Sequence, residues 1–267
     1  MKTDTKSLSK HKNVKCCFFV LFVFFVVKKR GIPRTLKAIW YDIKGYSLLY
    51  VMFFHACFCG YAVSSETENP EDIFIRNGLV DIHTLDPDIQ VNLKYSSPDN
   101  FLGKDIYGNL DKCWLQREIA LKLANAQKLL KKKHPELNLT VFDAVRPRRF
   151  QRQMWEQVKG TPARHYLANP FSGSIHNYGA AVDLSIVDTA GRELDMGTAF
   201  DCFGELSQPR YEKKFLRQGL LTQTQVNNRR LLRSVMTEAG FLPLRNEWWH
   251  FNGLPEKEVR RKYKIIE

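Results

Sequence analysis

The sequence predicts an α+β domain on three observations: a stretch with strand-like alternation, a long amphipathic helix, and further helix and strand signals in mixed order without internal repeats. Ile89, Val91, Leu93 and Tyr95 put apolar groups at every second residue, the period of a half-buried strand. Leu115, Ile119, Leu123, Ala126 and Leu130 then recur at spacings of four, four, three and four, as one face of a helix. Lys131 to Lys133 close that helix before Pro135, where cations suit the C-terminal end of the helix dipole on a solvated face. Leu137 to Phe142 reads as a strand leading into Asp143-Ala-Val-Arg146-Pro147. A helix follows, with Phe150, Met154, Trp155 and Val158 inward and Gly160 as its stop. In a strand over Ala181 to Val187, Val182, Leu184 and Ile186 point into the core while Asp183 and Ser185 face the other side. A last helix buries Leu231, Leu232, Val235, Met236 and Ala239 and ends at Gly240.

With 267 residues, 44% hydrophobic and 26% charged, the chain can bury one substantial core and carry an N-terminal appendage. Residues 1–64 hold 11 Lys and Arg against 2 acidic groups, and residues 65–267 hold 30 against 26, so the net charge of +13 resides mostly in the leader. Nucleic-acid binders concentrate positive charge on the folded domain, and this one does not. The leader has two apolar runs, Cys16 to Val27 and Ser47 to Val63. The first, at about 1.5 Å per residue, spans only about 18 Å of a roughly 30 Å hydrocarbon core. The second ends in small residues, Gly60, Ala62 and Ser64, that suit signal-peptidase cleavage. The expectation is an exported, periplasmic protein, or a membrane-anchored one if the leader is retained, with a start codon upstream of the true signal as a complication. A polar linker over residues 65–80 precedes a domain over residues 81–267. Four of the six cysteines lie in the leader; Cys113 and Cys202 remain, compatible with one disulfide or two buried free thiols, and no CxxC pair offers a cysteine-rich structural metal site.

The chemistry is concentrated in Ser174-Ile-His176-Asn-Tyr-Gly179-Ala-Ala-Val-Asp183 and Glu247-Trp-Trp-His250. Two imidazoles and one carboxylate are a usual set for catalytic zinc, which keeps a fourth position open. Gly179 allows a bend that brings His176 and Asp183 to a common point. Glu247 is not needed to fill the shell and is free to act as a proton-transferring base. Residues three apart in a strand face opposite sides, so Glu247 and His250 need a bend or tight turn to aim at one metal, with Trp248, Trp249 and Phe251 packing to hold it. Ser174 is placed to hydrogen-bond a substrate or orient the loop, and Tyr107 reads as a packed ring.

This pattern, Ser-x-His-x-x-Gly-x-Ala-x-Asp from Ser174 to Asp183 and Glu-x-x-His from Glu247 to His250, resembles the zinc D-Ala-D-Ala peptidases and closely their VanX-type D-alanyl-D-alanine dipeptidase branch. The likeness runs from about Asp81 to the C-terminus and includes Asn100-Phe-Leu-Gly103-Lys, Phe142-Asp-Ala-Val-Arg146-Pro147 and Leu194-Asp-Met-Gly-Thr-Ala-Phe-Asp201. Phe142 and Val145 stand where family members often carry tyrosine. The resemblance implies a single compact zinc-peptidase domain with a central, mostly antiparallel sheet flanked by helices. It further implies one Zn2+ per chain ligated by His176, Asp183 and His250, with Glu247 as general base and Arg146 stabilising the transition state. Asp201 would bind the free amine of a small dipeptide substrate, and Ser174 would contact that substrate. The expected reaction is hydrolysis of D-alanyl-D-alanine in peptidoglycan turnover, D-alanine salvage or glycopeptide resistance. No nucleic-acid partner is expected, and membrane contact only through a retained leader. The alternatives are a D,D-carboxypeptidase acting on peptidoglycan stem peptides and a non-catalytic zinc-containing binding module of the same fold.

Overall fold

The computed structural model describes residues 69–267, so the expectations for the leader lie outside the described residues. The domain begins earlier than the sequence predicts. A helix, α1 (Pro70–Arg76), and a strand, β1 (Leu79–Asp81), fall in the stretch read as linker. Asn69 caps α1 by accepting a hydrogen bond from the Glu71 amide at 3.1 Å, and Phe74 and Leu79 are buried. The Phe74 ring lies 5.8 Å from that of Trp114. A segment that places two side chains in the core is part of the domain, and its polar composition hid them.

β1 pairs antiparallel with β3 (Trp114–Gln116), with Leu115 opposite Val80. Leu115 therefore belongs to a strand, and α2 (Arg117–Lys133) starts two residues later than its apolar spacing predicts. Both settings bury the side chain, so spacing alone could not separate them. The main sheet contains β2 (Gln90–Val91), β4 (Leu137–Asp143), β5 (Ala181–Asp188), β6 (Leu242–Pro243) and β7 (His250–Asn252), in the order β2-β4-β5-β7-β6. Only β2 runs parallel to its neighbour. Ile89, Leu93 and Tyr95 are buried as their alternation predicts, but only Gln90 and Val91 pair with β4, and Lys94–Ser96 turns as a 3-10 helix.

Ile119, Leu123, Ala126 and Leu130 of α2 share one core with Leu139, Val141, Val182, Leu184 and Ile186 of the sheet. Leu232, Val235 and Met236 of α5 (Gln223–Glu238) join them. Each such Val, Leu, Ile or Met side chain contributes about 1.5–3 kcal/mol by leaving water. A capping box starts α5: Thr222 Oγ1 accepts from the Gln225 amide and Gln225 Oε1 accepts from the Thr222 amide. In α3 (Arg148–Gln157) Met154 is buried, but Phe150 and Trp155 are half-buried and the fully buried neighbour is Gln151. Two short helices, α4 (Glu212–Arg217) and α6 (Glu256–Lys262), complete the described fold. Cys113 and Cys202 are both free thiols, the first buried and the second exposed.

Gly179 has φ 63°, and a Cβ there would sit 2.9 Å from Leu79 Cδ2. Gly179→Ala combines left-handed strain with overpacking and is expected to lower stability by about 2 kcal/mol, read from the midpoint shift in urea unfolding.

Candidate metal centre and active site

The sheet register assembles the site. β5 lies between β4 and β7, and Asp183 on β5 stands opposite Asp143 on one side and His250 on the other. A bulge in β4 makes the first match: Val141 pairs with Leu184, Phe142 is the extra residue, and Asp143 pairs with Asp183. Without it the one-residue slip would turn Asp143 to the opposite face. His176 arrives from the 3-10 turn Ile175–Tyr178 that precedes β5. Ser174 caps that turn, its hydroxyl accepting from the His176 amide at 3.3 Å while its own amide donates to Asn177 Oδ1 at 2.6 Å. Gly179 then reverses the chain into β5 through the left-handed region.

Three donor atoms converge. His176 Nε2 lies 3.1 Å from His250 Nδ1 and 3.4 Å from Asp183 Oδ1, and His250 Nδ1 lies 2.9 Å from the same carboxylate oxygen. The remaining ring nitrogens show what these atoms offer. His176 Nδ1 donates to the Ala144 carbonyl at 2.8 Å, and His250 Nε2 donates to Asn252 Oδ1 at 2.9 Å. A carbonyl oxygen only accepts, so each imidazole carries its proton there and turns a lone pair toward the other. Two lone pairs and a carboxylate at contact distance repel one another unless a cation sits among them, and this donor set suits a divalent metal with an open position. Burial raises the Asp183 pKa, but the His176 and His250 imidazoles outweigh it and hold the group below the ordinary carboxylate range. Burial lowers that of His250, yet once Nδ1 is protonated its bond to Asp183 and that group's charge draw the pKa up to about 9, so this point attracts positive charge, whether a proton or a metal ion.

A cleft of about 320 Å³ opens on this centre, and Arg146, Ser174, His176, Asp183, Asp201, Glu247 and His250 all line it. The residues that the sequence singled out thus meet in one place. Glu247 sits in the bend between β6 and β7, the departure from a regular strand that its spacing from His250 requires. Trp248 and Trp249, which follow it directly, are buried with rings 5.4 Å apart. Burial raises the Glu247 pKa, and its carboxylate takes part in no hydrogen bond among the described residues, which leaves it free to accept a proton. Asp201 adopts φ 57°, and Tyr95 donates to its carboxylate at 2.7 Å. Burial lifts its pKa well above the carboxylate range, and that hydrogen bond only partly offsets the rise. Its loop is pinned from beneath by Trp248 Nε1 donating to Thr198 Oγ1 at 2.9 Å and Arg229 Nε donating to the Met196 carbonyl at 2.6 Å.

Sequence reasoning missed Asp143, Tyr95 and Asn252 and read only half of Tyr107, whose ring is packed as expected but whose hydroxyl donates to Asp143 Oδ1 at 2.6 Å. Asn252 had a signal: two residues after His250 in a strand, it shares that residue's face. Asn252→Leu removes the acceptor that holds the His250 proton on Nε2, and divalent-metal affinity measured by chelator competition is expected to fall about 10–100-fold.

A family model described as D-Ala-D-Ala dipeptidase, Peptidase M15, matches residues 75–266. The D-alanyl-D-alanine dipeptidase of Escherichia coli (strain K12) is 34% identical over 178 residues, covering 67% of this chain and 85% of the relative. The D-alanyl-D-alanine dipeptidase of Streptomyces coelicolor is 30% identical over 180 residues, 61% of this chain and 85% of the relative. That of Enterococcus faecalis (strain V583) is 26% identical over 200 residues, 68% of this chain and 94% of the relative. With the model match spanning most of the chain and the metal donors, the free glutamate and the buried arginine on one cleft, the chain belongs to the D-Ala-D-Ala dipeptidase family of metallopeptidases.

Proposed function

We propose that this chain is a zinc-dependent dipeptidase that hydrolyses D-alanyl-D-alanine to two D-alanine molecules. The observation that carries the reading is the convergence of His176 Nε2, Asp183 Oδ1 and His250 Nδ1 on a cleft that also contains Glu247 and Arg146. Zinc, when bound by these three groups, supplies Lewis acidity toward the scissile carbonyl and acidifies water beside it. Glu247 takes the proton from the attacking water and returns it to the departing amine, a task suited to a carboxylate whose pKa burial has raised. The Arg146 guanidinium meets the negative charge that builds on the carbonyl oxygen, and it cannot titrate away.

Asp201 supports a dipeptide over a longer peptide. A carboxylate in a confined pocket holds a free ammonium and disfavours an acylated nitrogen. Ser174 accepts from the His176 amide through one oxygen lone pair, and its hydroxyl hydrogen can still donate to substrate. For context, we infer an exported enzyme that recovers D-alanine from wall fragments, a reading supported by the basic, apolar leader. No helix among the described residues is long and apolar enough to cross a membrane. Fractionating cells that express the full chain places the protein outside the cytoplasm if the reading is right; retention in the cytoplasm sinks it.

Purified protein is expected to contain one zinc per chain and to cleave D-Ala-D-Ala in preference to an N-acylated D-Ala-D-Ala peptide. Preference for the acylated peptide would make it a carboxypeptidase, zinc without turnover a binding module, and absence of zinc would overturn the reading. Glu247→Gln is expected to lower kcat about 100 to 10,000-fold with metal retained. Asp201→Asn should raise KM for the free dipeptide and narrow the preference over the acylated one, both read from steady-state kinetics.

A further inference from the structure

Asp143 is fully buried, and the proposed reaction gives it no part. Its carboxylate is nonetheless the most heavily used in the site. Oδ1 accepts from the Tyr107 hydroxyl at 2.6 Å and from the Ala144 amide at 3.0 Å. Oδ2 accepts from Arg146 Nε at 2.9 Å and also from Arg146 Nη2. With Oδ1 occupied, the guanidinium takes one oxygen rather than making the parallel two-oxygen fork that arginine and carboxylate adopt when free to do so. Burial raises the Tyr107 pKa well above its ordinary value, so that hydroxyl remains a donor.

Arg146 is gripped from its other side as well. Nη1 donates to Gln151 Oε1 at 3.0 Å, and Gln151 is itself anchored by donating to the Ala168 carbonyl at 2.8 Å. Of five guanidinium N–H groups, three are spent, and one remains on each terminal nitrogen. Arg146 lines the cleft, 4.0 Å from Asp183 through Nη2, so those two are the groups available to a substrate oxygen. Asp143 also lies 3.6 Å from His176 Nδ1, but that nitrogen gives its proton to the Ala144 carbonyl at 2.8 Å. The carboxylate is thus bonded to the arginine and only a neighbour of the metal ligand.

We propose that Asp143 is a positioning residue for catalysis: held by Tyr107 and the Ala144 amide, it fixes the plane of the Arg146 guanidinium so that its two unspent N–H groups face the oxygen on which charge develops. The proposal rests on the role of Arg146 in the dipeptidase reading. It also accounts for the β4 bulge, which brings Asp143 to the face where Arg146 stands.

A double-mutant cycle on the zinc-loaded enzyme tests it, reading kcat and KM for D-Ala-D-Ala, zinc affinity by chelator competition, and thermal unfolding. Asp143→Asn is expected to lower kcat about 100-fold, the scale set by misplacing a catalytic group by about 1 Å. KM is expected to stay within about three-fold and zinc affinity to hold. In the Arg146→Ala background the same change is expected to have little further effect, because a residue acting through Arg146 has nothing left to position. Equal losses in both backgrounds, or zinc affinity falling in step with kcat, would overturn the proposal. Unchanged kcat in Arg146→Ala alone would instead remove the arginine role beneath it. Should Asp143→Asn fail to fold, Tyr107→Phe carries the same cycle: a kcat loss of about 3 to 10-fold with Arg146 present and none without it supports the proposal, and a loss independent of Arg146 refutes it.

Discussion

Everything in the site depends on the level at which three strands meet. The register of β4, β5 and β7 puts Asp143, Asp183 and His250 in one row across the sheet. Backbone hydrogen bonds set that row, and the apolar side chains Val182, Leu184 and Ile186 guard it, because a shift of one residue would carry them out of the core and the carboxylates into it. A metal centre built this way inherits the rigidity of the sheet. The loops need supply only what the strands cannot: His176 from the turn before β5 and Glu247 from the bend before β7.

Charge sets the second constraint. Asp183, Asp201, Glu247 and Glu256 line the cleft and Asp143 backs it, five carboxylates against the guanidinium groups of Arg146 and Arg260. Burial raises the pKa of Asp201 and of Glu247, so neither is comfortable as an anion in the protein alone. A divalent cation among His176, Asp183 and His250 and an ammonium near Asp201 would together restore the balance. The electrostatics thus accord with the two occupants of the proposed function, a metal ion and a substrate with a free amine.

Much of this was legible in the sequence because catalytic metal sites use few residue types at short spacings. His176 with Asp183, and Glu247 with His250, are each close enough in sequence to stand out against apolar surroundings, and the cleft gathers all four. The α+β class was legible for a similar reason, since Ile119 to Leu130 and Val182 to Ile186 keep their periods across whole elements. Leu115 and the residues after Pro70 were misread where a short strand and a short helix, too brief to show a period, bury single side chains against distant partners. Asp143 and Tyr95 were missed because their meaning lies in contacts 36 and 106 residues away along the chain, Tyr107 to Asp143 and Tyr95 to Asp201. A hint was present all the same. An aspartate inside the apolar run from Leu137 to Val145 had to be paired somewhere, since a buried lone carboxylate is not tolerated.

The division between strand-borne and loop-borne groups bears on how such a site can change. Asp143, Asp183 and His250 cannot move without re-registering the sheet, whereas Asp201 lies at a left-handed position in an irregular loop held by side-chain hydrogen bonds from Tyr95, Trp248 and Arg229 and by packing of Phe200 against Tyr95, Phe142 and Trp249. On the proposed reading, alteration of that loop changes which amine is accepted and leaves bond cleavage intact. On the same reading, alteration of the strands removes the metal donors whatever the substrate. In the proposed function specificity and chemistry are thus set by different parts of the fold, with Tyr95 bridging them: its hydroxyl holds Asp201, and its ring lies 5.2 Å beneath the Arg146 guanidinium. A change at Tyr95 would disturb both at once, which makes it the point where selection for a new substrate meets the demand to keep the old reaction.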